Sequence, residues 1–259
     1  MYKILEKKDL NENTVYMLVE APMVARNCLP GQFVIVRSYE DSERIPLTIC
    51  DFDRNAGTVT LVFQTIGAGT LEMKELKEGE AFHDVVGPLG QPSEFCHEEL
   101  SALKEKHIVF IAGGLGTAPV YCQVKWLHEQ GVDADVILGA RTKELIIMEE
   151  EMSKVAGNLY ITTDDGSCGT KGFTTTLLPE LLQQGDYDLV IACGPEIMMQ
   201  GIARIAHEYN IPCQVSLEKR MGCGLGACLS CSIDTTSGER KKVCKDGPVF
   251  WAEEVFDLA

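Results

Sequence analysis

The chain has no apolar run approaching the ~18 uninterrupted residues that a membrane-spanning helix requires. Its opening, MYKILEKKDL, also lacks the apolar stretch of an export signal. No membrane span is expected, and the expected location is cytoplasmic. Basic residues are in deficit, with 23 Lys and Arg against 39 Asp and Glu and a formal charge of −16. A surface of that sign repels polyanions, so nucleic acid is not an expected partner. Internal repeats, low-complexity linkers and charge blocks are missing as well.

What is present is a chain of 259 residues with 45% apolar content, enough to bury the core of one large domain or two to three small ones. Eleven cysteines are an odd number in a chain too large to need a disulfide framework. Seven are scattered singly, Cys28, Cys96 and Cys213 among them, which fits a reducing compartment where a thiol serves as a small hydrophobe.

The first hundred residues carry short strand-length apolar runs, TVYMLVEA, QFVIVRSY, PLTICDF and GTVTLVFQTIG, parted by the turn signals LPGQ and DRNAG. No helical period persists across them, so an antiparallel β-barrel is predicted over residues 1–102. From His107 strands alternate with helices: HIVFIAGG, TAPVYCQVKWLHEQG, ADVILGAR, KELIIMEEEMSKVAG, NLYITTDD, TTTLLPELLQQG, DLVIACG, PEIMMQGIARIAHEYN and CQVSLE. Five strand runs with helices between them predict a doubly wound parallel α/β sheet over 103–215, because right-handed crossovers need helices of that length. A cysteine- and glycine-rich segment, 216–259, closes the chain.

That segment holds Cys223, Cys228, Cys231 and Cys244, with gaps of four, two and twelve residues, among Gly222, Gly224 and Gly226. A four-two-distant spacing is the pattern of plant-type [2Fe–2S] centres, three thiolates from a tight loop and the fourth from a neighbouring strand. Glycines let backbone N–H groups turn inward toward sulfur. Zinc is the competing reading, since Cys228 and Cys231 form one CxxC hook, but a zinc site normally pairs two such hooks.

In FIAGGLGTAPV, Gly113, Gly114, Gly116 and Thr117 lie between a strand and a helix N-terminus, where bare amides and the helix dipole can hold a pyrophosphate. The turn is not a GxGxxG fingerprint, and such glycines also serve turns without a ligand. ACGPEIMM puts Cys193, Gly194 and Pro195 at the end of the fourth parallel strand, where Cys193 can face a nicotinamide or pack as a buried thiol. In the barrel, ERIPLTI offers Arg44 to a pyrophosphate and Thr48, after Pro46 and Leu47, to a flavin edge; the plain alternative is a surface arginine and a strand threonine. FQTIGAGT, with Thr65, Gly67, Gly69 and Thr70, reads as a second backbone approach to phosphate or as an N-cap at Thr70.

Barrel, glycine turn, CGP strand end and cysteine tail, in that order, resemble the ferredoxin-NADP reductase superfamily over essentially the whole chain, and within it the iron–sulfur electron-transfer subunits. ERIPLTI, GPLGQPSEF, GARTKELIIMEEEM and TTDDGSCGTKGF resemble the small subunit of NADH-dependent ferredoxin:NADP oxidoreductase, also called the sulfide dehydrogenase beta subunit. SLEKRMGCGLGACLSC and KVCKDGPVF resemble the electron-transfer subunit of dihydroorotate dehydrogenase B. Cys223 stands where the former family has an aspartate, and RIPLTI stands where the latter usually has Arg-Pro-x-Ser-Ile.

The resemblance implies FAD on the barrel, NAD(H) on the α/β sheet and a [2Fe–2S] cluster on the four cysteines. It implies hydride exchange between NAD(H) and FAD, with single electrons relayed to a larger flavoprotein subunit, either glutamate-synthase-like or a dihydroorotate dehydrogenase catalytic subunit. Arg44, Pro46, Leu47, Thr48, Thr65, Gly67, Gly69 and Thr70 would line FAD. Gly113, Gly114, Gly116, Thr117, Arg141, Cys193, Gly194 and Pro195 would line the dinucleotide. Thr48 and Cys193 would stand at the reacting rings. Arg141 leaves room for NADP(H), because an arginine after the second strand can accommodate a 2′-phosphate, and GART offers no acid for the ribose diol. Rival readings are a stand-alone reductase of free ferredoxin and a non-enzymatic cluster carrier with a vestigial flavin site.

Overall fold

The structure, a computed structural model, describes residues 2–258. Two compact units emerge. One comprises the chain up to Ser93 together with Glu218–Ser232 and Lys242–Pro248; the other comprises Glu94–Leu217, Ile233–Lys241 and the stretch from Val249 onward. The stretch expected to stand alone after residue 216 is thus shared between the units. All four clustered cysteines fall in the first.

In the first unit, strands β1 (Tyr2–Asn11), β2 (Thr14–Glu20), β3 (Phe33–Arg37), β4 (Ile45–Asp53), β5 (Thr58–Gln64), β6 (Ala81–Phe82) and β7 (Asp84–Leu89) form one antiparallel sheet of order β6-β1-β2-β5-β4-β3-β7. Helices α1 (Pro22–Asn27) and α2 (Ala68–Glu75) lie in its connections. Side chains alternate across β4: Leu47 and Ile49 are buried, while Pro46 and Thr48 are only half-buried. The inward set, with Ile4, Met17, Val19, Leu61, Phe63 and Phe82, makes one core. Each such large apolar side chain contributes roughly 1.5–3 kcal/mol by leaving water, and the curled sheet follows from burying one face.

The second unit runs α3 (Leu100–Leu103), β8 (Ile108–Gly113), α4 (Thr117–Glu129), β9 (Ala134–Ala140), α5 (Glu149–Ser153), β10 (Leu159–Thr163), β11 (Thr170–Lys171), α6 (Thr174–Gln184), β12 (Leu189–Cys193), α7 (Glu196–Glu208) and β13 (Cys213–Ser216). Beyond it come β14 (Ser232–Asp234), β15 (Arg240–Lys242), α8 (Val243–Asp246), β16 (Val249–Trp251) and α9 (Ala252–Val255). The sheet order is β11-β10-β9-β8-β12-β13-β16, parallel except for the β13–β16 edge. Strands β8 and β12 are buried throughout, as apolar runs covered by helices on both faces must be. One face packs on α4 through Val120, Val124 and Leu127; the other packs on α6 and α7 through Leu178, Ile202 and Ala206.

Sequence and structure part company at KELIIMEEEMSKVAG. The long helix expected there is a 3-10 turn at Lys143–Leu145 and the short α5. Ile146 is a β-branched residue in extended backbone, Ile147 is buried, and Met148 takes a positive φ of 56° before α5 begins. Three acids, Glu149, Glu150 and Glu151, favour a helix start at that point. Among the described residues no helix is long and apolar enough to cross a membrane.

Candidate functional site

The order of the parallel sheet reverses at β8, whose neighbours are β9 and β12, and a ligand crevice is expected outside the carboxyl ends of strands at such a point. Here the structure brings Gly113, Gly114 and Gly116 together with Cys193, Gly194 and Pro195. A β-carbon on Gly113 would stand 3.1 Å from Pro195 Cδ, and one on Gly194, at φ +156°, would stand 3.1 Å from Gly113 Cα. At Gly116 it would stand 2.1 Å from the Cys193 carbonyl oxygen. Gly116 is also the N-cap of α4, with no side chain closing the helix end, and Thr117 behind it is buried. A β-carbon on Gly114 would meet nothing within 4 Å. Bare amides at an open helix N-terminus form a seat for a pyrophosphate.

Arg141 follows β9 and is exposed. The amide of Asp164 donates to the carbonyl of Ala140 at 3.1 Å, and that of Asp165 to the carbonyl of Arg141 at 3.3 Å. The backbone of Asp164 and Asp165 is therefore tied to the end of β9 from the neighbouring strand. Asp165 Oδ1 accepts from Ser167 Oγ at 2.6 Å and Ser167 N at 2.9 Å, which hold its carboxyl below the ordinary range. Beside Gly139, the hydroxyls of Thr162 and Thr174 are buried without a hydrogen-bond partner. Sequence reasoning quoted TTDDGSCGTKGF for the resemblance but gave these residues no role, although two acids directly after a strand run were a visible signal.

In the barrel unit, Leu47 packs into the core, so its side chain is a packing group and only its backbone is left for a ligand. Pro46 pairs with Ile35 and Thr48 with Phe33 across β3, on the opposite face from Leu47. Thr65 Oγ1 donates to the carbonyl of Asn13 at 3.3 Å. Thr70 is not the N-cap of α2; Gly67 is, and Thr70 sits three residues in. Its hydroxyl accepts the amides of Ile66 and Gly67 at 3.0 and 3.1 Å and donates back to the Gly67 carbonyl, closing the helix end from within. At Gly69 a β-carbon would stand 2.7 Å from Ile45 Cδ1, so this glycine permits close packing of α2 on the start of β4. Gly67 has open space around it.

The four cysteines converge in pairs. The amide of Cys228 donates to Cys223 Sγ at 3.3 Å and that of Cys244 to Cys231 Sγ at 3.5 Å. Cys244 lies on the one-turn helix α8 rather than on the strand expected for the fourth ligand, because the chain turns immediately after β15. Backbone amides face the sulfurs: Cys228 N and Leu225 N point at Cys223 Sγ from 3.3 and 3.4 Å, and Gly226 N at Cys244 Sγ from 3.2 Å. The backbone at Ser230, then that at Cys223, pulls the Cys228 thiol down to about 6, and the amides of Cys228 and Leu225 lower Cys223. Burial, then the shared Cys231 thiol, pushes Cys244 up to about 11. Gly224, at φ +71°, presses on the barrel floor, where a β-carbon would stand 2.5 Å from Ile35 Cδ1. Gln91 N and Nε2 hold the carbonyls of Gly247 and Lys245 at 2.7 and 2.9 Å, tying the α8 segment to the end of β7.

Comparison with known proteins places these features in a family. Residues 110–204 match the oxidoreductase NAD-binding domain, and residues 218–256 match the iron–sulfur cluster binding domain of dihydroorotate dehydrogenase B. A Thermotoga maritima protein described as a homolog of the dihydroorotate dehydrogenase B (NAD(+)) electron transfer subunit is 38% identical over 253 residues, 98% of this chain and 86% of that one. The chain belongs to the dihydroorotate dehydrogenase B electron-transfer-subunit family. A protein from Clostridium beijerinckii, described only as an uncharacterised protein in the adh 3′ region, is 52% identical over 252 residues, 96% of this chain and 85% of its own.

Among solved structures, this electron-transfer subunit superposes on a chain of the NADH-dependent reduced ferredoxin-NADP oxidoreductase, solved in work on flavin-based electron bifurcation. The match has TM-score 0.90 and 37% identity, and covers 99% of this chain and 90% of the other. The subunit is an oxidoreductase component with FAD, an iron–sulfur centre and NAD as its cofactor set. The residues present suit an iron–sulfur centre: four soft donors, two of them lowered toward thiolate, with amides aimed at the sulfurs. The grouping of Cys223 with Cys228 and of Cys231 with Cys244 suits a centre with two metals.

Proposed function

We propose that this subunit takes hydride from NADH onto FAD and passes single electrons, through a [2Fe–2S] centre on Cys223, Cys228, Cys231 and Cys244, to a larger flavoprotein subunit. The reading follows the small subunit of NADH-dependent ferredoxin-NADP oxidoreductase. The observation that carries it is the contact of the Cys228 amide with Cys223 Sγ and of the Cys244 amide with Cys231 Sγ, on the unit that also holds β4. Bound FAD supplies the exchange between a two-electron hydride and single electrons. Everything else asked of the chain is positioning, since hydride transfer needs no general acid or base.

In this reading Thr48 orients the flavin edge from β4, and the open Gly67 end of α2 receives a phosphate. The amides of Gly113 to Thr117 seat the dinucleotide pyrophosphate, while Cys193 and Gly194 line the nicotinamide end. Asp164 and Asp165 supply the ribose-diol acceptor that GART lacks, which supports NADH over NADPH despite Arg141. Asp164→Asn is therefore expected to move the NADPH-to-NADH ratio of kcat/KM toward NADPH by about 10-fold or more, since a charge-assisted hydrogen bond contributes roughly 1.5–3 kcal/mol. Steady-state kinetics with both nucleotides checks it, and an unmoved ratio removes Asp164 from ribose recognition.

Stopped-flow mixing with NADH under anaerobic conditions tests the whole reading. Flavin absorbance should bleach first, and the low-temperature EPR signal of a reduced cluster should follow. NADH oxidation without flavin bleaching rejects it.

A second reading is favoured by the match of residues 218–256 and by Cys223 itself, which completes a four-cysteine set. In it the partner is a dihydroorotate dehydrogenase catalytic subunit. Purification of the native complex separates the two: dihydroorotate-dependent NAD+ reduction supports the second, and exchange with ferredoxin and NADP(H) supports the first.

A further inference from the structure

The loop that carries the first three cysteines turns its amides toward sulfur, so its carbonyls need partners from outside. Two cations of the barrel unit provide them. Arg44, at the entry to β4, donates from Nε to the carbonyl of Gly222 at 2.8 Å, and its Nη2 reaches the carbonyl of Cys223 at 3.5 Å. From the segment bearing the fourth cysteine, Lys242 Nζ donates to the carbonyl of Gly226. Among the described residues neither cation forms an ion pair. In a chain of formal charge −16, two cations left to backbone carbonyls beside four thiols stand out electrostatically.

We propose that Arg44, with Lys242, is a positioning residue for the iron–sulfur loop: the pair clamps the carbonyls of Gly222, Cys223 and Gly226 and sets fixed positive charge beside the centre, easing its one-electron reduction. The proposal rests on the four-cysteine reading above. A centre held by four thiolates is already negative, and an added electron makes it more so. A cation held by geometry stabilises the reduced form more than the oxidised one. Arginine suits the task because its planar fork reaches two successive carbonyls from one direction. This gives Arg44 a role other than the flavin-phosphate contact its sequence context suggests.

The test uses the purified, cofactor-loaded protein and the variants Arg44→Gln, Arg44→Lys and Lys242→Gln. Iron and FAD per chain, EPR-monitored redox titration and amide hydrogen exchange over residues 222–226 are measured for each. Arg44→Gln should keep its iron and FAD, with the one-electron equilibrium shifted about tenfold toward the oxidised centre, 59 mV for a one-electron couple. Exchange over 222–226 should rise. Lys242→Gln should shift the potential in the same direction. Arg44→Lys should recover most of the potential by keeping the charge, yet not the exchange protection that needs the fork. Loss of FAD from Arg44→Gln with an unmoved cluster potential overturns the proposal and returns Arg44 to the flavin. A wild-type protein without a cluster EPR signal overturns the four-cysteine reading itself, and the clamp with it, whereas a normal wild-type signal unmoved in all three variants overturns the clamp alone.

Discussion

Cys244→Ser is expected to strip the iron–sulfur centre from an otherwise folded subunit. Cys244 is 2% exposed on α8, its sulfur meets the amide of Gly226, and burial pushes its thiol up to about 11, so binding of a metal is coupled to loss of its proton. A serine hydroxyl is a harder donor with a far higher pKa, and it cannot replace the thiolate on iron. Iron per chain should fall to a small fraction of wild type. NADH should still bleach the flavin at close to its normal rate, while transfer to a one-electron acceptor drops about 100-fold or more, a barrier increase of roughly 2.7 kcal/mol. Equal losses in both half-reactions would show that Cys244 holds the barrel unit together rather than the centre.

Cys223→Asp is a gentler change. Cys223 is only half-buried, and the amides of Cys228 and Leu225 that face its sulfur can donate equally to a carboxylate. The variant should keep iron and show a changed cluster potential, because a hard oxygen replaces a soft sulfur. Complete loss of iron would show that this position cannot exchange its thiolate for a carboxylate, and would count against its kinship with a family that has aspartate there. The two substitutions together separate a ligand that the chain can exchange from one that it cannot.

The contrast between these cysteines also shows what could be read from the sequence. Spacing singled out the four cysteines as a candidate ligand set, because a four-two-distant run has few uses. The pairing of Cys231 with Cys244 was hidden, since it depends on β14 and β15 carrying the chain out and back. The tie of Arg44 to Gly222 spans 178 positions, and no local pattern encodes it. Strands β8, β9, β10, β12 and β13 were legible as apolar runs, yet the approach of Asp164 and Asp165 to Arg141 needed the parallel register of β9 and β10, which periodicity leaves open. Helix α5 was overread because IIMEEEM has acids and apolar residues at helical spacing, while Ile146, Ile147 and Met148 follow local backbone and burial demands instead. Thr70 was visible as a helix-start residue, but its position within the first turn follows from the Gly67 backbone.

Gly116→Ala is expected to damage the dinucleotide unit more than any other single methyl group placed in its glycine turn. The backbone at Gly116 has φ −58°, an ordinary helical value, so the demand for glycine there is one of space. A β-carbon would lie 2.1 Å from the Cys193 carbonyl oxygen, 2.6 Å from its carbon and 3.0 Å from Gly194 N, all of them backbone atoms that cannot swing aside as a side chain can. Relief must come from parting the N-terminus of α4 from the end of β12, which moves the very amides that would seat the pyrophosphate. The cost of such overpacking is about 1–3 kcal/mol, which lowers the melting temperature of a domain of this size by about 2–4 °C per kcal/mol. NADH affinity should fall by about 10-fold or more, while iron per chain stays at the wild-type level, because the four cysteines belong to the barrel unit. Gly114→Ala is the control: it meets no atom within 4 Å but sits at φ +55°, so it pays only the left-handed backbone cost of about 1–2 kcal/mol and should keep most of its NADH affinity. Calorimetric titration with NAD+ on both variants, alongside thermal melts, decides the matter; equal affinity loss in the two would mean that the turn binds through its conformation and not through the contact between α4 and β12.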